Sequence, residues 1–274
     1  MTTWNERSVR VDGGELWCAA RASASTDPET AHAVLLWNGG PGCPDYLRPV
    51  AELLPAEMLA IRFDPRGCGR STARKDSAAG AAGVRQDRFT VEQAIDDVEA
   101  IRRSFGIRRW SVCGHSFGAD LALLYALRHP DRVRSLVCLA GGRASEPREW
   151  YRVYRARRDR GEEVVPEFDF PVNLRAKTQL TDDWRRTTRR PGFLAELGDL
   201  DLPVHFIYPE GDIRPSWPVE QVASLLPRGE FRLLSGCDHF MWRENSTGLA
   251  AELDRVFAAG MHSERRRDDT GHTP

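Results

Sequence analysis

The ten residues Trp110-Ser111-Val112-Cys113-Gly114-His115-Ser116-Phe117-Gly118-Ala119 constrain this chain more than any other stretch. A short apolar run ends in Gly-His-Ser-Phe-Gly, and a helix-like run, Leu121-Ala122-Leu123-Leu124-Tyr125-Ala126-Leu127, follows at once. A Gly-x-Ser-x-Gly between a strand and a helix reads as a nucleophile elbow, a turn so tight that side chains at Gly114 and Gly118 would collide with it. Such a turn lifts the Ser116 hydroxyl clear of the backbone and sets it at the positive end of the next helix, where developing negative charge is stabilised. The other reading is a strand-to-helix turn with an inert serine. The company the motif keeps decides between them.

Upstream, Ala33-Val34-Leu35-Leu36-Trp37 is an uninterrupted apolar run of the kind expected from a strand covered on both faces. It runs into Asn38-Gly39-Gly40-Pro41-Gly42, a backbone able to approach a ligand closely and point amides at it. This is read as half of an oxyanion hole, with the amide of Gly39 or Gly40 facing that of Phe117; an ordinary strand-to-helix turn is the alternative. The strand Met58-Leu59-Ala60-Ile61-Arg62-Phe63 ends in Asp64-Pro65-Arg66-Gly67-Cys68-Gly69-Arg70-Ser71, whose acid and arginines are expected to hold the loop's own backbone. Residues 72–88 read as a surface loop. Thr90-Val91-Glu92-Gln93 fits a capping box, after which Val91, Ile95, Val98, Ile101 and Phe105 repeat at helical spacing.

Before these elements, residues 9–11 and 16–20 flank Asp12-Gly13-Gly14 as a hairpin. After the elbow helix come strands over 133–140, 202–208 and 231–234, and helices over 218–226 and 248–259. Alternating strand and helix signals imply an α/β fold, a mostly parallel sheet with helices on both faces and a site at the carboxyl ends of the strands. Gly39, Gly40, Asp64 and Ser116 all fall at such ends. The rhythm breaks over 143–191, which holds 13 Lys or Arg against 9 Asp or Glu and has helical stretches at 149–160 and 180–187. This segment is read as a helical cap inserted after the sixth strand. The core then comprises 1–142 and 192–260, and 261–274 is a polar, disordered tail.

With 39 basic and 40 acidic side chains the chain has no global field to recruit nucleic acid or an anionic membrane. No apolar run approaches the roughly 18 residues of a membrane span, and no signal-peptide order opens the chain. Six cysteines without a Cys-x-x-Cys read as small buried hydrophobes of a reducing, cytoplasmic compartment. The expected partner is a small-molecule or short-peptide substrate, with no cofactor and no metal; oligomeric state stays open.

A serine hydroxyl needs a base, and the base needs a carboxylate to fix its tautomer. Among seven histidines, only His239 lies in a loop after a strand at the end of the sheet where Ser116 stands. His115 adjoins the serine and should turn its ring away, His205 reads as a satisfied core residue, and the others sit at helix or strand ends or in the tail. No carboxylate follows the strand after the elbow helix, but Asp212 stands after the next one; Asp238 is too close to His239 to reach its Nδ1. The chain order Ser116, Asp212, His239 is that of a Ser-Asp-His hydrolase.

With these residues assembled, the chain resembles the α/β-hydrolases and, within them, the proline iminopeptidase group. The resemblance rests on Asn38-Gly39-Gly40-Pro41-Gly42, the 64–71 loop, the elbow with its helix, and the loops of Asp212 and His239. It implies an α/β-hydrolase fold and a serine hydrolase acting on a small ester or amide, with amino-terminal proline, a simple ester, a thioester or a lactone as the substrate and a ligand-binding receptor as the rival. Where the group begins its first motif with histidine this chain has Asn38, and its Gly-Gly-Ser-Trp-Gly elbow is here Gly-His-Ser-Phe-Gly. The group's cap glutamates, which bind a substrate amine, have Glu149, Glu162, Glu163 and Glu167 as candidates by type. Trp150, Tyr154, Glu149 and Trp184 are the candidate substrate-binding residues of the cap.

Overall fold

The computed structural model describes residues 3–21, 32–72, 89–162 and 169–269. Eight strands are β1 (Trp4–Val11), β2 (Gly14–Arg21), β3 (Ala33–Trp37), β4 (Leu59–Phe63), β5 (Trp110–His115), β6 (Val133–Leu139), β7 (Val204–Pro209) and β8 (Gly229–Leu234). They form one sheet in the order β1-β2-β4-β3-β5-β6-β7-β8. The hairpin β1–β2 is antiparallel and β2 pairs antiparallel with β4, whereas every later pairing is parallel. Because β4 lies on one side of β3 and β5 on the other, the strand order reverses there, and in open α/β sheets the crevice at such a point takes the ligand.

Both faces of the inner parallel strands β3 to β7 are largely buried, whereas the edge strand β8 is half-buried or exposed over most of its length, and neighbouring residues along a strand point to opposite faces. Leu35, Val112 and Leu136 pack into one apolar cluster, while Leu36, Cys113 and Val137 pack into a second. The first cluster is closed by α2 (Val91–Ser104), α3 (Phe117–Arg128) and α7 (Trp217–Leu225), through Ile95, Val98, Leu121 and Val222. The second is closed by α1 (Arg48–Leu53) and α8 (Ser246–Asp269), through Val50, Leu249, Leu253 and Phe257. Truncating one of these fully buried aliphatics to alanine costs about 2–5 kcal/mol. Their alternation therefore fixes the register of the strands that carry the site.

Between β6 and β7 lie α4 (Arg148–Asp159), α5 (Leu174–Thr188) and α6 (Phe193–Gly198). The helix expected over 180–187 begins six residues earlier, at Leu174, where the Asn173 side chain accepts from the Ala176 amide as an N-cap. Thr90 caps α2 by accepting from Gln93 N at 3.1 Å, but the return half of the expected box is not made. The Gln93 amide instead donates to Asp97 at 3.3 Å. Where a polar tail was expected, α8 is drawn on to Asp269; the run Met261-His262-Ser263-Glu264-Arg265-Arg266-Arg267-Asp268-Asp269 contains no glycine or proline and is rich in helix formers. Residues 270–274, and most of the surface loop expected over 72–88, lie outside the described residues.

The loop after β4 is held as expected. The Asp64 carboxylate accepts from the amides of Asp45 and Arg70, both at 2.8 Å, and from the Arg70 guanidinium. Arg66 reaches out of the same loop into a buried two-pronged ion pair with Asp97 of α2. These bonds tie the loop to the first turn after β3, which carries the glycines beside Ser116.

Candidate active site

Ser116 stands between β5 and α3 with φ 53° and ψ −123°, a left-handed conformation that a residue with a side chain adopts at a cost of about 1–3 kcal/mol. The two glycines of the motif permit the turn for steric reasons. A Cβ on Gly114 would lie 2.5 Å from Ala119 Cα, and one on Gly118 would lie 2.1 Å from the Trp37 carbonyl oxygen. The elbow is thus wedged between its own helix and β3, and its serine projects from the carboxyl end of the sheet.

Two loops deliver the other groups. Asp212 follows β7 and His239 follows β8, and both are almost wholly buried. His239 Nδ1 lies 2.6 Å from Asp212 Oδ2, and His239 Nε2 lies 3.0 Å from Ser116 Oγ. A carboxylate only accepts, so Nδ1 carries the proton and Nε2 offers its lone pair to the serine hydroxyl. Asp212 is fixed in turn: its Oδ1 accepts from the Arg214 amide at 2.9 Å and from the Arg214 guanidinium at 3.1 Å. Burial alone would raise the Asp212 carboxyl, but His239 and Arg214 outweigh it and hold the group well below the usual carboxylate range.

Of the two amides offered for the oxyanion, Gly39 or Gly40, the structure engages the first. The Gly39 amide donates to the Tyr46 hydroxyl at 2.8 Å, so it is already engaged. The amide of Phe117, first residue of α3, and that of Gly40 bond to no other group among the described residues. His115 turns into the core as expected, and it makes more of the site than its position suggested. Its Nε2 lies 2.9 Å from the His239 carbonyl oxygen, which can only accept, and its Nδ1 lies 2.8 Å from the Tyr46 hydroxyl. The chain of donors is therefore Gly39 N–H to Tyr46, Tyr46 O–H to His115, and His115 Nε2–H to the backbone of His239. Burial, then the neighbouring His239, lowers the His115 pKa well below 6.5, which keeps this relay neutral. Nothing in the sequence spacing marks Tyr46; only the fold brings it beneath the elbow.

A family model described as alpha/beta hydrolase fold matches residues 32–212, more than half of the chain. The chain belongs to the α/β-hydrolase fold family. This α/β-hydrolase is 26% identical over 237 residues to a proline iminopeptidase of Thermoplasma volcanium, a match covering 82% of this chain and 68% of that one. A proline iminopeptidase of Saccharolobus solfataricus is 33% identical over 106 residues, 38% of this chain and 31% of its own. A crystal structure of Mycobacterium smegmatis proline iminopeptidase superposes with a TM-score of 0.71 at 20% identity, covering 95% of this chain and all of that one, and so shares the fold.

The candidate substrate-binding residues between β6 and β7 occupy different places from one another. Trp150 lines a small cavity with Ser116 and donates its indole N–H to the Pro215 carbonyl at 2.9 Å. Tyr154 stacks on Trp150 with ring centroids 5.4 Å apart. Trp184 is buried edge-to-face against Phe117 at 6.0 Å, where it braces the first turn of α3. Glu149 is exposed and paired with Arg152, Glu162 is paired with Arg157 and Arg160, and Glu163 and Glu167 lie outside the described residues. Sequence reasoning missed Arg143 and Arg214, both beside that same cavity. No group of three or more His, Cys, Asp or Glu among the described residues is placed to hold a metal ion, and no described helix is long and apolar enough to cross a membrane.

Proposed function

We propose that this α/β-hydrolase is a serine hydrolase of small esters or amides, with Ser116 as nucleophile, His239 as base and Asp212 as its orienting carboxylate. The observation that carries the reading is His239 bridging Ser116 Oγ and Asp212 Oδ2 at 3.0 and 2.6 Å from its two ring nitrogens. In the first half-reaction Ser116 Oγ bonds to the substrate carbonyl carbon while its proton passes to His239 Nε2. The bond to the leaving group then breaks, and that group departs with the His239 proton. The amides of Phe117 and Gly40 receive the carbonyl oxygen as it becomes an anion. In the second half a water gives its proton to His239 and its oxygen to the acyl carbon, and Ser116 leaves reprotonated. A cytoplasmic location belongs to the same proposal, supported by six thiols that all stand free in the structure.

The proline iminopeptidase relatives make an amino-terminal proline amide the first substrate to try and a simple ester the second. The test compares prolyl naphthylamide with p-nitrophenyl esters on wild type and Ser116→Ala, together with fluorophosphonate labelling. Turnover and labelling by wild type alone are expected. Equal rates from wild type and Ser116→Ala refute the mechanism.

A further inference from the structure

Two separate cavities open at the carboxyl edge of the sheet, one on each side of β5. The first, about 50 Å³, lies over β3 and β4 and is walled mainly by apolar groups, among them Trp37, Phe63, Phe89, Phe117 and Leu180. The second, about 40 Å³, lies beyond the ends of β6 and β7 and contains Ser116 itself, with Arg143, Arg214, Asp120 and Trp150 in its wall. At the roughly 10–15 Å³ that one enclosed water needs, the second cavity holds about three waters, the size of a carboxylate.

The charged groups of that wall are unequal. It carries two guanidiniums and one carboxylate. Asp120 is buried and spent on structure: its Oδ1 accepts from the amides of Gly142 and Arg143, each at 2.9 Å. The arginines are held in place by aromatic rings and by carboxylates behind them, Arg214 by Asp212 Oδ1 at 3.1 Å, and turn their remaining donors to the cavity. The Arg143 guanidinium lies 4.8 Å from the Trp150 ring centroid and 5.5 Å from that of Trp184, and Arg214 lies 5.1 Å from Tyr154. Arg143 is further fixed by ion pairs to Asp120 at 3.3 Å and Glu146 at 3.1 Å, and its side chain is only 19% exposed. Three of the aromatic cap residues therefore position cations beside the nucleophile. A substrate amine would meet guanidiniums here and find no uncommitted carboxylate among the described lining residues.

We propose that the cavity shared by Ser116, Arg143 and Arg214 binds an anionic group of the substrate, so that the preferred substrate is an ester or amide carrying a carboxylate a few bonds from the scissile carbonyl. A planar guanidinium presents donors in a fork that matches a carboxylate, and a half-buried one is desolvated in advance, which favours this anion over a neutral ester. The apolar cavity across β5 takes the remainder of the molecule. This substrate class rests on the serine-hydrolase reading above, and its test separates the two.

The monomethyl and dimethyl esters of succinate, glutarate and adipate are titrated calorimetrically into Ser116→Ala, where no turnover confuses binding. At least one monomethyl ester is expected to bind about tenfold or more tightly than its dimethyl partner, the size of one charge-assisted hydrogen bond, and Arg143→Met in the same background should erase the difference. Equal binding of both esters in all three pairs, or a difference that survives Arg143→Met, overturns the proposal. Should Arg143→Met fail to fold by circular dichroism, Arg143→Gln and the salt dependence of the monoester's affinity take its place: a salt-insensitive preference overturns it equally. Fluorophosphonate labelling of the wild type reports on the nucleophile independently. Labelling with no preference for the monoesters sinks the anion site alone, and carboxylate binding without labelling sinks the hydrolase reading alone.

Discussion

Tyr46→Phe removes one oxygen from beneath the elbow and leaves the ring, which stacks on Phe170 and Trp242 at 6.5 and 6.2 Å, to keep its contacts. The lost hydroxyl was acceptor for Gly39 N–H and donor to His115 Nδ1, each at 2.8 Å. Stranding a buried polar group costs about 1–3 kcal/mol; at the lower half of that range for each of these two partly buried bonds, the loss is about 2–4 kcal/mol. For a chain of this size each kcal/mol lowers Tm by about 2–4 °C, so a fall of about 4–16 °C is expected in a thermal melt. The same bond holds the residue before Gly40, and letting that loop drift weakens an oxyanion donor whose complete loss costs about 10²–10³ in kcat. The assay is ester turnover at saturating substrate beside the melt. A variant with the Tm and kcat of wild type refutes both the orientation assigned to Tyr46 and its bracing of the loop.

Asp212→Asn is expected to keep the fold and lower kcat by about 10⁴, because an amide at that place favours the wrong imidazole tautomer; ester kinetics decide it, and a loss under tenfold contradicts the assigned role. Glu99 is raised by burial but held down to about 2 overall by the Arg102 guanidinium and the Tyr125 hydroxyl. A carboxylate whose folded pKa is depressed stabilises the protein above its unfolded value of about 4.3 and loses that contribution as pH falls toward the folded one. Urea midpoints measured from pH 5 to about 2 should therefore fall less steeply for Glu99→Gln than for wild type. Gly118→Ala, whose new Cβ would meet the Trp37 carbonyl at 2.1 Å, should destabilise by about 3 kcal/mol, at the top of the range for overpacking, and a melt within 2–4 °C of wild type contradicts that steric account.

What could be read from the residues was whatever local geometry imposes. Gly114 and Gly118 are demanded by a turn, the apolar runs of β3, β5 and β6 are demanded by burial on both faces, and each lies within a few residues of the atoms it constrains. Asp212 and His239 were legible because each falls in a loop after a strand, which puts it on the rim where Ser116 stands. Tyr46 and Arg143 were not legible, since their roles depend on partners 69 and 23 positions away, His115 and Asp120, and on no periodicity. The choice between the Gly39 and Gly40 amides was not legible for the same reason: the acceptor of Gly39 lies on a side chain that only the closed loop brings near. In the strand β1, the burial pattern is largely exposed, so the alternation that would announce a strand is faint and the hairpin is longer than residues 9–11 suggest.

The three helices inserted between β6 and β7 touch the proposed triad of Ser116, His239 and Asp212 lightly, although Trp184 of α5 braces the first turn of α3. Arg157 of α4 donates to the Asp212 carbonyl at 2.9 Å, whereas both ring nitrogens of His239 are satisfied by residues outside the insertion. Reactivity and taste are thereby written on different stretches of polypeptide. A graft that replaces the inserted helices with another sequence, keeping the sheet, its loops and the Trp184 ring against Phe117, would change what the protein prefers to cleave while leaving the proposed triad in place.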